Sequence, residues 1–505
     1  MSTDHHGMSR GSGTPFARDV SGLPAASRSR PLLVDDGATI DLIARPVSKQ
    51  IGDATVKMLG YDGSIPGPTL HFRQGSEATV RFRNDTDQPT TVHWHGLRHD
   101  NLFDGVPEEH RGMQPPVSPG DTYSYRLRVP DPGVYWYHPH IREDYGQEQG
   151  LYGAIIVQPV EPAYWPLVDR EACLILDDIL IEDGLVAGFD TLESDHTLMG
   201  RYGNVMLTNG DTHFTMKAGA GEVVRLYLIN AANTRTIDFA IPGARIKQVG
   251  GDNGRIETEE FVDDVVLSPS ERAVVDVLFD RPGVLAVEHH TPDHVYTLGN
   301  IEVERGRAVA AATADQFWTL RQCAEFDEIR RSLDSDLTRP PDKSISLVGL
   351  MTGTMDNHGM SDNATDPIEW EDTMAAMNQA STPATMSWAI VDDDTGQQNM
   401  AIDWIFHVGD RVRIRITNSM STDHPMQHPF HVHGQRFLVL SRNGVQTDNL
   451  VWKDTVLVPA GETVEILVEA TNPGRWMAHC HIAEHLEGGM MFTFDVIPDE
   501  VLNPA

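Results

Sequence analysis

Gly75-Ser76-Glu77-Ala78-Thr79-Val80-Arg81-Phe82-Arg83-Asn84 recurs twice along the chain. The second copy is Gly221-Glu222-Val223-Val224-Arg225-Leu226-Tyr227-Leu228-Ile229-Asn230, and the third is Gly409-Asp410-Arg411-Val412-Arg413-Ile414-Arg415-Ile416-Thr417-Asn418. Each runs from Gly to Asn, with an acidic turn and then period-two alternation, the pattern of a turn feeding a half-buried strand. A second shared pattern follows each copy. Ser118-Pro119-Gly120-Asp121 leads to Pro132-Gly133-Val134-Tyr135-Trp136-Tyr137-His138. Ser268-Pro269-Ser270-Glu271 leads to Pro282-Gly283-Val284, and Pro459-Ala460-Gly461-Glu462 leads to Pro473-Gly474-Arg475-Trp476-Met477-Ala478-His479. Repetition on this scale means three copies of one domain. Short runs rich in Val, Ile, Thr and Tyr between Gly, Pro and Asp turns make each copy an antiparallel β-sandwich.

At 505 residues the chain exceeds one core. The boundaries read as a disordered tail over 1–40, domains over 41–165 and 166–305, a linker over 306–345, and a third domain over 346–505. The tail is rich in Ser, Gly, Arg and His and lacks the apolar stretch of a secretory signal. His5-His6-Gly7-Met8 offers copper donors there, but an unstructured segment is the simpler reading. In the linker, Phe317, Leu320, Phe326 and Ile329 recur at helical spacing and predict a helix from Ala314 to Leu333. A net charge of −35, with only six Lys among thirty-nine basic residues, argues against nucleic-acid binding. No run is long and apolar enough to span a membrane. Of three cysteines, Cys173 and Cys323 either pair as a disulfide or are inert buried thiols.

The third cysteine lies in His479-Cys480-His481-Ile482-Ala483-Glu484-His485-Leu486-Glu487-Gly488-Gly489-Met490. A thiolate, two imidazoles and a weak thioether make a blue copper electron-transfer site. Cys480, His485 and Met490 supply three of these, and His428 in His428-Pro429-Phe430-His431-Val432-His433-Gly434 supplies the fourth. Neighbours along an extended backbone point to opposite faces, so His479 and His481 should face a second metal site. The first copy carries His93-Trp94-His95-Gly96 and His138-Pro139-His140 but no Cys. It must share its histidines with another domain. In the middle copy Asp238 and Ala240 stand at the positions of His93 and His95, and Glu288 and His290 at those of His138 and His140. That copy is ligand-poor and reads as a spacer, its His213, His289, His290 and His294 as ordinary histidines. The simplest assembly sets domain one against domain three with a histidine-lined cluster between them.

With four such motifs in this order, the chain resembles the multicopper oxidases of the three-domain, bacterial laccase-like type. The resemblance implies an all-β fold of three consecutive cupredoxin-like Greek-key β-sandwich domains and four copper ions. Type 1 copper would take His428, Cys480, His485 and axial Met490. Type 2 would take His93 and His431. One type 3 copper would take His95, His138 and His481, and its partner His140, His433 and His479. Cys480, continuous with His479 and His481, would wire the blue copper to the cluster. The implied activity is one-electron oxidation of phenols or aromatic amines coupled to four-electron reduction of dioxygen to water.

A cuprous oxidase serving copper tolerance is the alternative, raised by Met351, Met355, Met360, Met374, Met377 and Met386, with His358 among them. Thioethers favour Cu(I), although methionines also make a flexible apolar cover. A copper-sequestering or structural protein without turnover is a third reading, against which the full ligand set argues. The expected partners are dioxygen and a small aromatic reductant or Cu(I), with no nucleic acid and no membrane, the chain acting as a monomer. The resemblance suggests the periplasm or secretion, with the cytoplasm left open. Bacterial relatives often place a Glu after the histidine matching His485; here Leu486 stands there. Asp104, eleven residues after His93, occupies the other acidic position and is expected to hydrogen-bond near the type 2 site and assist protonation. Glu484 and Glu487 either replace the missing relay or face solvent.

Overall fold

A computed structural model describes residues 16–305, 311–352 and 366–498. Within them the three repeats form three β-sandwiches. In the first, strands Ala54–Tyr61, Ala38–Ile51, Glu77–Asn84 and Thr122–Arg128 make one sheet. Pro31–Leu33, Thr69–Arg73, Gly153–Gln158, Gly133–His138 and His93–His95 make the other. Leu42, Val80 and Phe82 of one sheet meet Leu70, Tyr135 and Ile155 of the other in a single apolar core. The middle unit pairs a six-stranded with a five-stranded sheet, and the third a seven-stranded with a five-stranded one.

The repeated Gly-to-Asn stretch is an inner strand of its sheet each time. In Glu77–Asn84, Ala78, Val80, Phe82 and Asn84 are buried in alternation. Its terminal Asn closes the sandwich. Asn84 Nδ2 donates to the carbonyls of Gln88 and Val117, both at 2.8 Å. Asn230 reaches the carbonyls of Arg235 and Leu267 in the same way, and Asn418 those of Met426 and Val458. Such paired carbonyls satisfy backbone groups that a sandwich corner would otherwise bury unpaired. The alternation is lost in the middle copy, where Glu222–Asn230 is buried throughout. Its second face packs on the first unit, with Tyr227 and Ile229 in one cluster with Val134 and Trp136.

Three sequence expectations change. The tail expected over 1–40 is built into the first sandwich from Phe16 onward. Phe16 packs edge-on against Tyr145 at 4.3 Å, Ala25 bridges Ser48, and Pro31–Leu33 pairs in parallel with Thr69–Arg73. Backbone pairing satisfies its polar groups, while Phe16 and Val34 supply the anchorage that composition hides. His5, His6 and Met8 lie outside the described residues, as do Met355, His358 and Met360. The linker helix is two helices, Ala311–Phe317 and Glu325–Thr338. Between them Gln322 bridges Thr258, and Cys323 N donates to Glu257 O at 2.7 Å. Pairing with a sheet edge there outweighs helix continuity. The third sandwich's strand Lys343–Met351 begins inside the expected linker. Cys173 and Cys323 are free thiols in separate clusters. Among the described residues no helix is long and apolar enough to cross a membrane.

Candidate metal centre

Strand Gly474–Cys480 ends on Cys480, and the helix Ala483–Glu487 returns His485 to the same side. The neighbouring strand His428–Val432 lies antiparallel, with Phe430 opposite Cys480. Cys480 Sγ is 3.4 Å from His428 Nδ1 and 3.8 Å from His485 Nδ1, and the two nitrogens are 3.3 Å apart. Donors bound at about 2.0–2.3 Å to one ion stand about 3.5–4 Å apart, so the triangle has the size of a one-metal site. Cys480 N donates to Met490 O at 3.1 Å, which brings the buried Met490 into the same core. Burial pushes the Cys480 thiol up, His428 down to about 3, and His485 well down. Sulfur thus keeps a proton that a cation would replace, while both imidazoles stay neutral ligands.

The thiolate site is sealed. His428 and His485 are 1% and 0% exposed. Trp388 lies 4.1 Å from the His485 ring and 4.9 Å from the His428 ring. Its indole N–H donates to Thr197 O at 2.7 Å. Leu198 N donates to Ser381 Oγ, Met199 N to Asn378 Oδ1, and Asn378 Nδ2 to Gly200 O. A loop of the middle unit and the helix Ala375–Gln379 are therefore fastened together over this site.

Strand alternation sends His479 and His481 to the other side, as expected. Register sets His431 opposite His479 and His93 opposite His138. The sandwiches then bring both pairs together. His95 stacks on His431 at 3.8 Å, and the His93 and His433 rings are 4.0 Å apart. Ring nitrogens of His140, His433 and His479 lie within 4.8 Å of one another, as do those of His93, His431 and His433, and of His93, His95 and His138. The His481 ring lies 4.9 Å from His95 and 5.0 Å from His138. All eight imidazoles predicted for a cluster are buried in one pocket.

Hydrogen-bond partners fix which nitrogen six of the eight rings offer. Nδ1–H of His93, His138, His431 and His479 donates to the carbonyls of Asp104, Pro139, Asp454 and Cys480, at 2.7–2.9 Å. His433 Nδ1–H donates to Asp104 Oδ2 at 2.8 Å. His95 is reversed, with Nε2–H donating to Asp454 Oδ1 at 3.1 Å. Nε2 of His93, His138 and His431, Nδ1 of His95, and both nitrogens of His140 and His481 are buried with no hydrogen-bond partner. His433 Nε2 and His479 Nε2 converge at 3.0 Å. Unpartnered buried nitrogens are costly. Lone pairs converging from neutral imidazoles, beside a thiolate triangle, fit copper.

Models described as multicopper oxidase match residues 45–162 and 369–500, the two ends that carry these histidines. The chain belongs to the multicopper oxidase family. It is similar to multicopper oxidase mco of Staphylococcus aureus, 26% identical over 443 residues, covering 86% of this chain and 82% of that one. It is 27% identical over 522 residues to multicopper oxidase MmcO of Mycobacterium tuberculosis, covering 95% and 90%. A crystal structure of a multi-copper oxidase from Pseudomonas thermotolerans superposes with a TM-score of 0.68 at 26% identity, covering 92% and 100%. As a multicopper oxidase, the chain is a copper oxidoreductase that uses dioxygen.

The acids around this multicopper oxidase pocket differ from the sequence expectation. Asp104 touches two of its histidines. Burial alone would raise its carboxyl, but His93, His99 and His140 hold it below the usual range. Leu486 packs with Val106, Met477 and Met491, an apolar setting that holds no relay. Glu484 does not face solvent: it is fully buried and accepts from Asn233 Nδ2 at 3.1 Å and Thr234 Oγ1 at 3.2 Å. Sequence reading missed Glu143. Its Oε1 lies 3.2 Å from His138 Nδ1 and 3.6 Å from His481 Nε2. Burial, then Glu487, Asp144 and Glu484, push it well up. Glu484 is pushed up to about 7 and Glu487 to about 8, both chiefly by burial and then Asp144. The signal was present three residues after His140, in a run of charge that reads as surface but is buried.

Proposed function

We propose that this oxidase takes electrons from cuprous ions and reduces dioxygen to water. The observation that supports this donor is the sealed thiolate site. Both imidazoles are covered, Met199, Met386 and Met426 are buried in the same core, and Met351, Met374 and Met377 pack against it. A thioether-rich cover suits a small soft ion better than an aromatic ring that must touch the histidine.

His428, Cys480, His485 and Met490 would hold type 1 copper, and His93 with His431 type 2. His95, His138 and His481 would hold one type 3 ion, and His140, His433 and His479 the other. When bound, copper supplies the one-electron storage and the dioxygen reduction. The chain supplies the rest. Cys480 joins donor side to acceptor side through the backbone of His479 and His481. Asp104 fixes the rings of His93 and His433 by accepting from both. Glu143 holds a proton on its carboxyl beside His138 and His481 and delivers it to reduced oxygen in the pocket. Glu487 Oε1, which accepts from Glu143 N at 3.4 Å, marks the side from which that proton is replaced.

A second reading, oxidation of phenols and aromatic amines, draws on Trp388. Its ring, tilted by 32° against His485, would carry an electron inward from a donor bound outside the cover. Steady-state turnover of copper-loaded enzyme on a phenol and on a cuprous complex, with and without residues 351–386, separates the two. The cuprous reading expects cuprous turnover in the full chain and its loss on deletion. High phenol turnover in the full chain, with none on the cuprous complex, would overturn it.

A further inference from the structure

The ligand-poor middle unit reaches into the histidine pocket at one point. Arg272 and Asp454 form a bidentate ion pair, Nη1 to Oδ1 at 2.6 Å and Nη2 to Oδ2 at 2.5 Å, with both side chains fully buried. Arg272 belongs to the middle sandwich and Asp454 to the third. The first sandwich meets them there as well: Arg272 Nε donates to Val134 O at 3.1 Å. A Cβ on Gly96 would fall 2.5 Å from Asp454 Oδ2 and 2.7 Å from Arg272 Nη2. The glycine after His95 is thus the space that this pair occupies.

Asp454 in turn holds two rings from different sandwiches. Its Oδ1 accepts from His95 Nε2, and its backbone carbonyl accepts from His431 Nδ1. Thr455 Oγ1 lies 3.1 Å from His95 Nε2 and 3.0 Å from His431 Nδ1, and donates to Asp454 Oδ1 at 2.9 Å. Asn253 of the middle unit donates to Asp454 Oδ2 at 2.8 Å, and Arg272 N donates to Asp252 Oδ1 at 2.8 Å. A lone aspartate swings about two side-chain torsions; one clamped by a guanidinium fork does not. Ligand rings are aimed by such outer partners.

The geometry points to Arg272 as a positioning residue for the copper cluster, acting through Asp454 to orient His95 and His431. The middle unit is then a working part of the trinuclear site rather than a spacer. This rests on the copper reading above.

Its test compares copper-reconstituted wild type, Arg272→Met, and the double variant Arg272→Met/Asp454→Leu. Each is followed by copper per chain, the blue absorption of the thiolate site, the electron paramagnetic resonance of the type 2 ion, and the thermal midpoint. Arg272→Met should keep the blue absorption while affinity for cluster copper falls about 10- to 100-fold. A single variant strands a buried carboxylate and is expected to melt lower. The double variant replaces the buried pair by apolar groups and should regain the midpoint, yet it should not regain cluster copper or the type 2 signature. Full copper with an unchanged type 2 signature in Arg272→Met, or recovery of both midpoint and cluster in the double variant, would overturn the assignment. Wild type that takes up no copper would instead sink the copper reading itself.

Discussion

The thiolate site and the histidine pocket hang on one strand, Gly474–Cys480, yet they are assembled in opposite ways. His428, Cys480, His485 and Met490 all come from the third sandwich, within sixty-three residues of sequence. The other two units only cover them or stand apart. The pocket draws His93, His95, His138 and His140 from one end of the chain and four more histidines from the other. Its outer supports, Asp104, Glu143 and the Arg272–Asp454 pair, come from all three units. A site built within one unit needs only that unit's register. A shared site needs every interface to be right before any ring points correctly, and it buries far more charge.

The largest expected effect breaks the link between the two. Cys480→Ser should abolish the blue absorption and bring turnover with any one-electron donor below detection. Copper in the histidine pocket should remain, as metal analysis would show. Retained turnover would mean that electrons bypass the thiolate. Next, Glu143→Gln should slow dioxygen consumption about 10²-fold, the scale of a lost general acid. Anaerobic reduction of the blue site, followed by absorbance, should be untouched. Slowing of both steps together would remove Glu143 from proton delivery.

Trp388→Ala tests the seal. Removing a buried indole should cost about 3–5 kcal/mol of stability by denaturant titration. It should also raise phenol turnover by exposing His485. A fall in phenol turnover would favour the indole as the electron path.

The smallest effect concerns pH. Glu484 is held up to about 7 against its ordinary 4.5. Between those values the folded chain keeps a proton that the unfolded chain has lost, so stability falls as pH rises across that window. The loss is on the order of 3 kcal/mol. Denaturation of copper-free protein at pH 5 and pH 8 would measure it, and Glu484→Gln should remove this share of the difference while Glu143 and Glu487, also held up, keep theirs. An equal slope in the variant would place the pH dependence elsewhere.

Much of this was legible in the chain. The Gly-to-Asn repeat announced its strands because period-two alternation follows from strand geometry. All twelve proposed ligands could be named, since copper chemistry demands Cys, His and Met at short, fixed spacings. Glu143 was hidden because burial of a charged run is a tertiary event: Arg142-Glu143-Asp144 reads as surface until helix Ala483–Glu487 packs on it. The broken linker helix was hidden because a sheet edge competed for its backbone. The N-terminal strand was hidden because Pro31–Leu33 is three residues long, too short to show a period, and follows a Ser- and Arg-rich run.

By itself, then, the sequence determined the local periods and the donor types, which depend on neighbours a few residues apart. Only the tertiary structure decided how His95 and His433 are turned by distant carboxylates, which carboxyls lie in the dark beside the histidines, and that the middle unit reaches the cluster. Those depend on contacts between residues hundreds of positions apart, where burial and ion pairing act through space and leave no mark on local pattern.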